Sequence, residues 1–183
     1  MLIIYLPIAI ISGVITDVLL KNRLRQKQYP FTVLLCLIVI IILCIAFDNQ
    51  VLIIKGYIFA QILIFAAYHD SKTKEIPDSV HVLIILTALI GINPISSIIG
   101  LVAVSLPFLL ASMFREGSIG GGDIKLMGAC GFLLGAVGGF FASIAGLVLA
   151  ICFNLFNNKS KSESFPLAPY LAAGCFAAYL IFY

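Results

Sequence analysis

Two aspartates, Asp70 and Asp123, interrupt a sequence that is otherwise strongly apolar. Asp70 lies where one long apolar run ends, and Asp123 lies where a later run begins. A carboxylate at the edge of such a run is costly unless it is solvated, paired or used, so both residues are candidates for function. Two carboxyls brought close together cannot both ionise cheaply, so one keeps its proton and the pair divides into an acid and a base. This pair predicts hydrolysis by an activated water.

Three glycines, Gly120, Gly121 and Gly122, directly precede Asp123. Glycine adopts backbone angles that are closed to other residues, so this segment can turn sharply and present the aspartate at a chosen angle. The alternative is structural, because Asp is a favourable N-cap and Asp123 could cap a helix that begins at Ile124. The segment alone leaves both interpretations open, and a second acid at comparable depth favours function.

Further charged residues surround the two acids, namely Lys74, Glu75, Asp78 and Lys125. Glu75 and Asp78 are rival acids, and the structural interpretation is that they are solvated beside the lysines. The lysines on their own predict only that they help to set the topology in the membrane.

Composition limits what these residues can belong to. Of the 183 residues, 62% are hydrophobic and 10% are charged, and the mean hydropathy is +1.18. These values predict an integral membrane protein with one membrane-embedded domain, residues 1–183. The basic residues are scattered in short loops, so nucleic acid is not an expected partner. The five cysteines form no Cys-x-x-Cys pair and there are two histidines, so we expect neither a metal site nor another cofactor.

Breaks in hydrophobicity predict an all-α bundle of about eight transmembrane helices, with six as the alternative if weak segments merge. The predicted spans are approximately 2–20, 30–47, 51–69, 79–93, 95–114, 123–138, 139–156 and 165–183. A glycine-rich turn over 135–139 separates the sixth span from the seventh, and Asn93-Pro94 separates the fourth from the fifth.

The basic residues predict the orientation of the bundle, since cytoplasmic loops collect Lys and Arg. In the eight-span arrangement, ten of the eleven basic residues fall on one side, and Lys55 falls on the other. The loops 70–78 and 115–125 then share the cytoplasmic face, which brings Asp70 and Asp123 to the same side of the membrane.

Three motifs carry a resemblance to a known family. They are Asp70 followed by Lys74-Glu75-Ile76-Pro77-Asp78, then Gly120-Gly121-Gly122-Asp123-Ile124-Lys125-Leu126, and a late Pro-x-x-Pro segment within 165–174. Together they resemble the type IV prepilin peptidases, the bacterial GxGD intramembrane aspartyl proteases. The resemblance implies removal of the leader from prepilins or pseudopilins at the cytoplasmic face of the bacterial cytoplasmic membrane. It implies that Asp70 and Asp123 are the catalytic pair and that Gly120 and Gly122 shape the active-site loop. It also makes Lys74 and Lys125, with Asp78 beside them, candidates for contacts to a substrate or to lipid headgroups, with a purely topological role as the alternative for the lysines.

The sequence departs from that family at two places. Many members carry a cysteine-rich cytoplasmic domain after the first span and N-methylate the new N-terminus with S-adenosylmethionine. Here that loop is about eight residues, 21–28, without cysteine, so the expectation is a short peptidase form and does not extend to N-methylation. The family's usual Ile-Pro-Asn reads Ile-Pro-Asp, which adds the acid Asp78. The alternatives from other classes are a small proton-coupled transporter and a non-catalytic membrane scaffold.

Overall fold

The computed structural model describes residues 2–24, 31–114, 120–156 and 165–183, and all regular secondary structure in these ranges is helical. The helices are α1 (Leu2–Leu24), α2 (Phe31–Ala46), α3 (Gln50–Thr73), α4 (Asp78–Ala88), α5 (Pro94–Phe114), α6 (Gly121–Phe156) and α7 (Ala168–Phe182). The predicted all-α fold is confirmed. Part of the predicted cytoplasmic face lies outside the described residues. This part comprises the start of the glycine-rich loop, 115–119, and the basic residues at positions 25, 27, 115, 159 and 161.

Helix α6 reverses direction at Gly135, whose φ of 74° and ψ of 178° are not helical. A Cβ placed at Gly139 would lie 3.1 Å from the Cα of Gly131, whereas eight residues of straight helix span about 12 Å. The two arms, 121–134 and 136–156, are therefore packed side by side. The predicted break between the sixth and seventh spans is present, and it occupies the first residue of the predicted 135–139 turn.

The predicted number of eight transmembrane helices is not confirmed, although each predicted run coincides with a helical segment. Among the described residues, four helices are long and apolar enough to cross a membrane: α1 from Tyr5, α3, α5 and α6. Helices α2, α4 and α7 are shorter. Helix α4 has 11 residues, or about 16 Å, while the hydrocarbon core is about 30 Å thick.

Helices α3 and α6 carry the two aspartates, and two other helices join them. Helix α3 packs against α1, α2, α4 and α7, while α6 packs against α4, α5 and α7. Because α4 and α7 each contact both α3 and α6, they fix the positions of the two acid-bearing helices relative to each other.

Partly buried polar side chains tie α1 and α2 to α3. Gln61 donates from Nε2 to Tyr57 Oη at 2.7 Å and to Cys36 Sγ at 2.8 Å, and its Oε1 accepts from Thr16 Oγ1 at 3.0 Å. In an apolar environment an unpaired polar group is expensive, so a network of this kind fixes the register of the three helices.

Lys55 lies near the N-terminal end of α3, opposite the end that carries Asp70. Its side chain is buried, and its Nζ donates to Tyr183 Oη at 3.0 Å and lies 4.5 Å from the centroid of that ring. The placement of the basic residues relative to the cytoplasm stays a prediction.

Candidate functional site

Asp70 lies in the last turn of α3, inside the helix. The sequence predicted a loop from residue 70, but α3 continues through Thr73. The helix ends because Lys74 adopts the left-handed conformation, with φ of 58° and ψ of 28°, and its N–H donates to the Asp70 carbonyl at 2.8 Å. Pro77 then precedes the first residue of α4, in extended backbone geometry. Asp70 is only 5% exposed.

The carboxylate of Asp70 faces the N-terminus of α7. Its Oδ2 accepts a hydrogen bond from the backbone N–H of Ala168 at 3.1 Å, and Ala168 is the first residue of that helix. The free N–H groups and the dipole of a helix N-terminus favour a negative charge. The late Pro-x-x-Pro segment contains Ala168, but the sequence assigned no role to this backbone amide.

Asp123 lies in the first turn of α6, which begins at Gly121. Its N–H donates to the Gly120 carbonyl at 3.0 Å, and its carboxylate lies beside Gly120. The alternative that Asp123 caps a helix beginning at Ile124 is wrong, because the helix begins before it. The Oδ1 atom of Asp123 is buried and has no hydrogen-bond partner among the described residues.

The two aspartates line one polar cavity of about 360 Å³. They are close enough for the charge of Asp70 to act on Asp123. The same cavity is lined by the other sequence-predicted residues: Lys74, Asp78, Gly120, Gly121, Gly122 and Lys125, together with Glu75 and Ile76. The structure therefore brings together every candidate site residue that the sequence singled out.

Asp78 and Lys125 form an ion pair across the mouth of this cavity, with 2.8 Å between Oδ1 and Nζ. The hydrogen bond and charge of Lys125 lower the pKa of Asp78 below its usual value. Both side chains are exposed, so the pair contributes little to stability. Its effect is to join the start of α4 to the first turns of α6.

Two histidines also contact the site, although the sequence gave neither a role there. His81 on α4 lies with Nε2 3.2 Å from the carbonyl oxygen of Gly122. His69 on α3 lies with Nδ1 2.8 Å from the carbonyl oxygen of Glu75. Within the described ranges, no group of three or more His, Cys, Asp or Glu side chains is arranged to hold a metal ion.

The bundle and the site define a class: an all-helical membrane protein in which two acids from different helices share one cavity. The sequence profile of the type IV leader peptidase family matches residues 57–155, more than half of the chain and a range that contains both acids. The chain belongs to the type IV leader peptidase family.

One curated relative is the prepilin leader peptidase/N-methyltransferase of Bacillus subtilis (strain 168), to which the chain is 31% identical over 146 residues. The match covers 74% of this chain and 59% of that protein, so the chain spans less than two thirds of its relative's length. No solved structure matches the chain.

Proposed function

We propose that this protein is an aspartyl endopeptidase that removes the leader from type IV prepilins or pseudopilins at the cytoplasmic face of the membrane. The observation that carries the proposal is the shared cavity, because it places Asp70 and Asp123 together at the ends of two helices. The name of the Bacillus subtilis relative includes this activity. The proposal covers leader cleavage and not N-methylation.

In the proposed reaction, ionised Asp70 takes a proton from water, and the resulting hydroxide attacks the scissile carbonyl carbon. Protonated Asp123 gives its proton to the carbonyl oxygen, which forms a neutral gem-diol. Asp70 then returns its proton to the leaving nitrogen as the C–N bond breaks, and Asp123 recovers a proton from the gem-diol. Atoms and charge balance, and each carboxyl ends in its starting state.

The surroundings of the two carboxyls support this division of roles. Asp70 accepts the Ala168 N–H, and the positive charge of Lys74 acts on it. Asp123 has the negative charge of Asp70 as its neighbour, and its buried Oδ1 has no hydrogen-bond partner in the part of the chain that the structure describes. Burial disfavours the charged form of both carboxyls, so it does not separate them. Hydrogen bonds and opposite charge stabilise a charge and like charge disfavours it, so Asp70 is the better base and Asp123 the better acid.

An apolar groove of about 440 Å³ leads towards Asp70 along α3, with α2 and α7 as its walls. It contains Leu35 of α2, Ala60 and Ala67 of α3, and Ala173 of α7, and it reaches Ser71 beside Asp70. Small side chains let another helix approach closely. In the proposal, the apolar segment that follows the prepilin leader occupies this groove, so that the leader itself reaches the polar cavity.

The transporter and scaffold alternatives find less support. Asp70 and Asp123 lie within one turn of a helix end, whereas transporters bind their substrates near the middle of the bilayer. In a scaffold the acids would be structural caps. Asp70 does accept the first N–H of α7, but Asp123 follows the start of its own helix, and its buried Oδ1 has no hydrogen-bond partner among the described residues.

The test is co-expression with a prepilin in a host that lacks its own leader peptidase, with the substrate's size as the readout. We expect wild type and the distant control Asp48→Asn to process the prepilin. Asp70→Asn and Asp123→Asn should insert normally but lose at least about 100-fold in rate, the usual contribution of a general acid or base. Processing by either of these two variants would disprove the pair, and failure of wild type on several prepilins would disprove the peptidase.

A further inference from the structure

His81 is a buried histidine on α4 that the reaction above does not use. Its side chain faces α6, and only 7% of the residue is exposed. Nε2 lies 3.2 Å from the carbonyl oxygen of Gly122, the residue directly before Asp123. A carbonyl oxygen only accepts hydrogen bonds, so Nε2 carries the hydrogen and donates it.

The other ring nitrogen of His81 faces Asp78. Nδ1 lies 3.6 Å from Asp78 Oδ1, and that same oxygen accepts from Lys125 Nζ at 2.8 Å. Helix α4 therefore holds the first turns of α6 on both sides of Asp123, through Gly122 and through Lys125. A third contact comes from Ile76, whose Cβ would lie 3.2 Å from a Cβ placed at Gly122.

We propose that His81 is a positioning residue for Asp123: by holding the Gly122 carbonyl, it orients the first turn of α6 so that the Asp123 carboxyl faces Asp70. This inference rests on the proposed peptidase function and adds a residue to it. Gly122 is only partly buried and lines the polar cavity, so water can replace the hydrogen bond to its carbonyl and the cost to the stability of the bundle is small. Misplacing a reacting group by about 1 Å, in contrast, costs about 100-fold in rate. Loss of His81 therefore affects catalysis more than folding.

Three substitutions separate positioning from packing. In His81→Gln the side-chain amide can place a donor near the position of Nε2, while in His81→Asn the amide is one carbon shorter and ends near the position of Nδ1. His81→Leu removes the donor and keeps the bulk. With purified protein and a prepilin substrate, we expect His81→Leu and His81→Asn to lower kcat by about 10- to 100-fold with little change in KM. His81→Gln should restore most of kcat.

Wild-type kcat in both the Leu and Asn variants would overturn the proposal. An equal loss in Gln, Asn and Leu, accompanied by equal losses of thermal stability, would also overturn it, because packing alone would then explain the effect. If His81→Leu fails to insert, the comparison of Gln with Asn decides, since both are neutral amides.

The pH profile of His81→Gln gives an independent readout. Because a positioning residue transfers no proton, the variant should keep both limbs of the wild-type kcat profile. Loss of a limb would show that His81 itself exchanges a proton and would overturn the positioning role. If the wild-type protein were inactive, the peptidase proposal itself would be contradicted. If His81→Leu were fully active while Asp123→Asn was inactive, only the role of His81 would be contradicted.

Discussion

Glycine serves opposite purposes at two regions of α6. In the acid cavity, a Cβ at Gly121 would meet no other part of the described chain within 4 Å, so this glycine leaves open space near Asp123. At the contact between α5 and α6, a Cβ at Gly131 would lie 2.8 Å from Val104 Cβ and would collide with the Gly100 carbonyl oxygen. The first region is open to a ligand, and the second is closed by backbone.

This difference separates function from stability along one helix. Backbone-to-backbone packing stabilises helix association in a bilayer, where burial of apolar surface from water contributes nothing. Substitutions at the α5–α6 contact should therefore act on folding, and substitutions that displace Asp123 in the acid cavity should act on cleavage. The sequence shows small residues in both regions and does not distinguish them.

The largest expected effect is on folding, from Gly131→Ala. The new methyl group would meet the Gly100 carbonyl, which cannot move without shifting α5. Overpacking of this kind costs about 1–3 kcal/mol, measurable as the free energy of unfolding in mixed micelles. Gly128→Ala on the same helix is the matched control, because its Cβ would lie 3.4 Å from Ser105 Cβ, in ordinary contact. Equal destabilisation by both variants would contradict the assignment of the α5–α6 contact.

The next effect is on cleavage, from Gly122→Ala. Its Cβ would lie 3.2 Å from Ile76 Cβ, so either Ile76 or the first turn of α6 beside Asp123 must shift by a few tenths of an ångström. We expect a loss of about tenfold in kcat, since misplacement by about 1 Å costs about 100-fold. Gly121→Ala is the neighbouring control and should keep wild-type kcat. A larger loss at Gly121 than at Gly122 would mean that access, and not the packing of Ile76, limits the reaction.

A smaller effect is expected on substrate binding, from Leu35→Trp in the apolar groove. A large side chain there narrows the groove between α2 and α7, so KM for a prepilin should rise several-fold while kcat changes little. Leu34→Trp is the matched control, because Leu34 is 51% exposed and does not line the groove. An unchanged KM in Leu35→Trp would show that the substrate's apolar segment lies elsewhere, and the acid pair would be unaffected.

Much of this fold could be predicted from the sequence, because long apolar runs and glycine or proline breaks have few structural solutions in a membrane. The helical class and the break before Pro94 came from these features. The ends of helices were less predictable. Polar residues 70–73 read as a loop, yet they complete the last turn of α3, where tertiary packing covers Asp70.

The two acids of the candidate site could be identified from the sequence, but the contacts that support them could not. Asp70 and Asp123 stand out because charge is rare in this chain. The Ala168 amide and the Gly122 carbonyl are backbone groups, which every residue carries, so no residue type marks them. His81 could be noticed in the sequence as one of two histidines, but only the fold shows that its side chain on α4 faces α6.

The smallest expected effect concerns the turn at Lys74, where the backbone adopts a conformation that favours glycine but the residue is lysine. Lys74 is the non-glycine residue with positive φ in the described chain. A side chain in this conformation strains the folded state, and glycine removes that strain. Glycine also raises the entropy of the unfolded chain, which offsets part of the gain. On balance, Lys74→Gly should be about 0.5–1 kcal/mol more stable than Lys74→Ala. Both variants lack the amine, so their difference isolates the backbone. If Lys74 contacts the substrate or acts on Asp70, the two variants should lose cleavage equally. Equal stability would show that the turn is unstrained, and full activity in both would show that the lysine only sets topology.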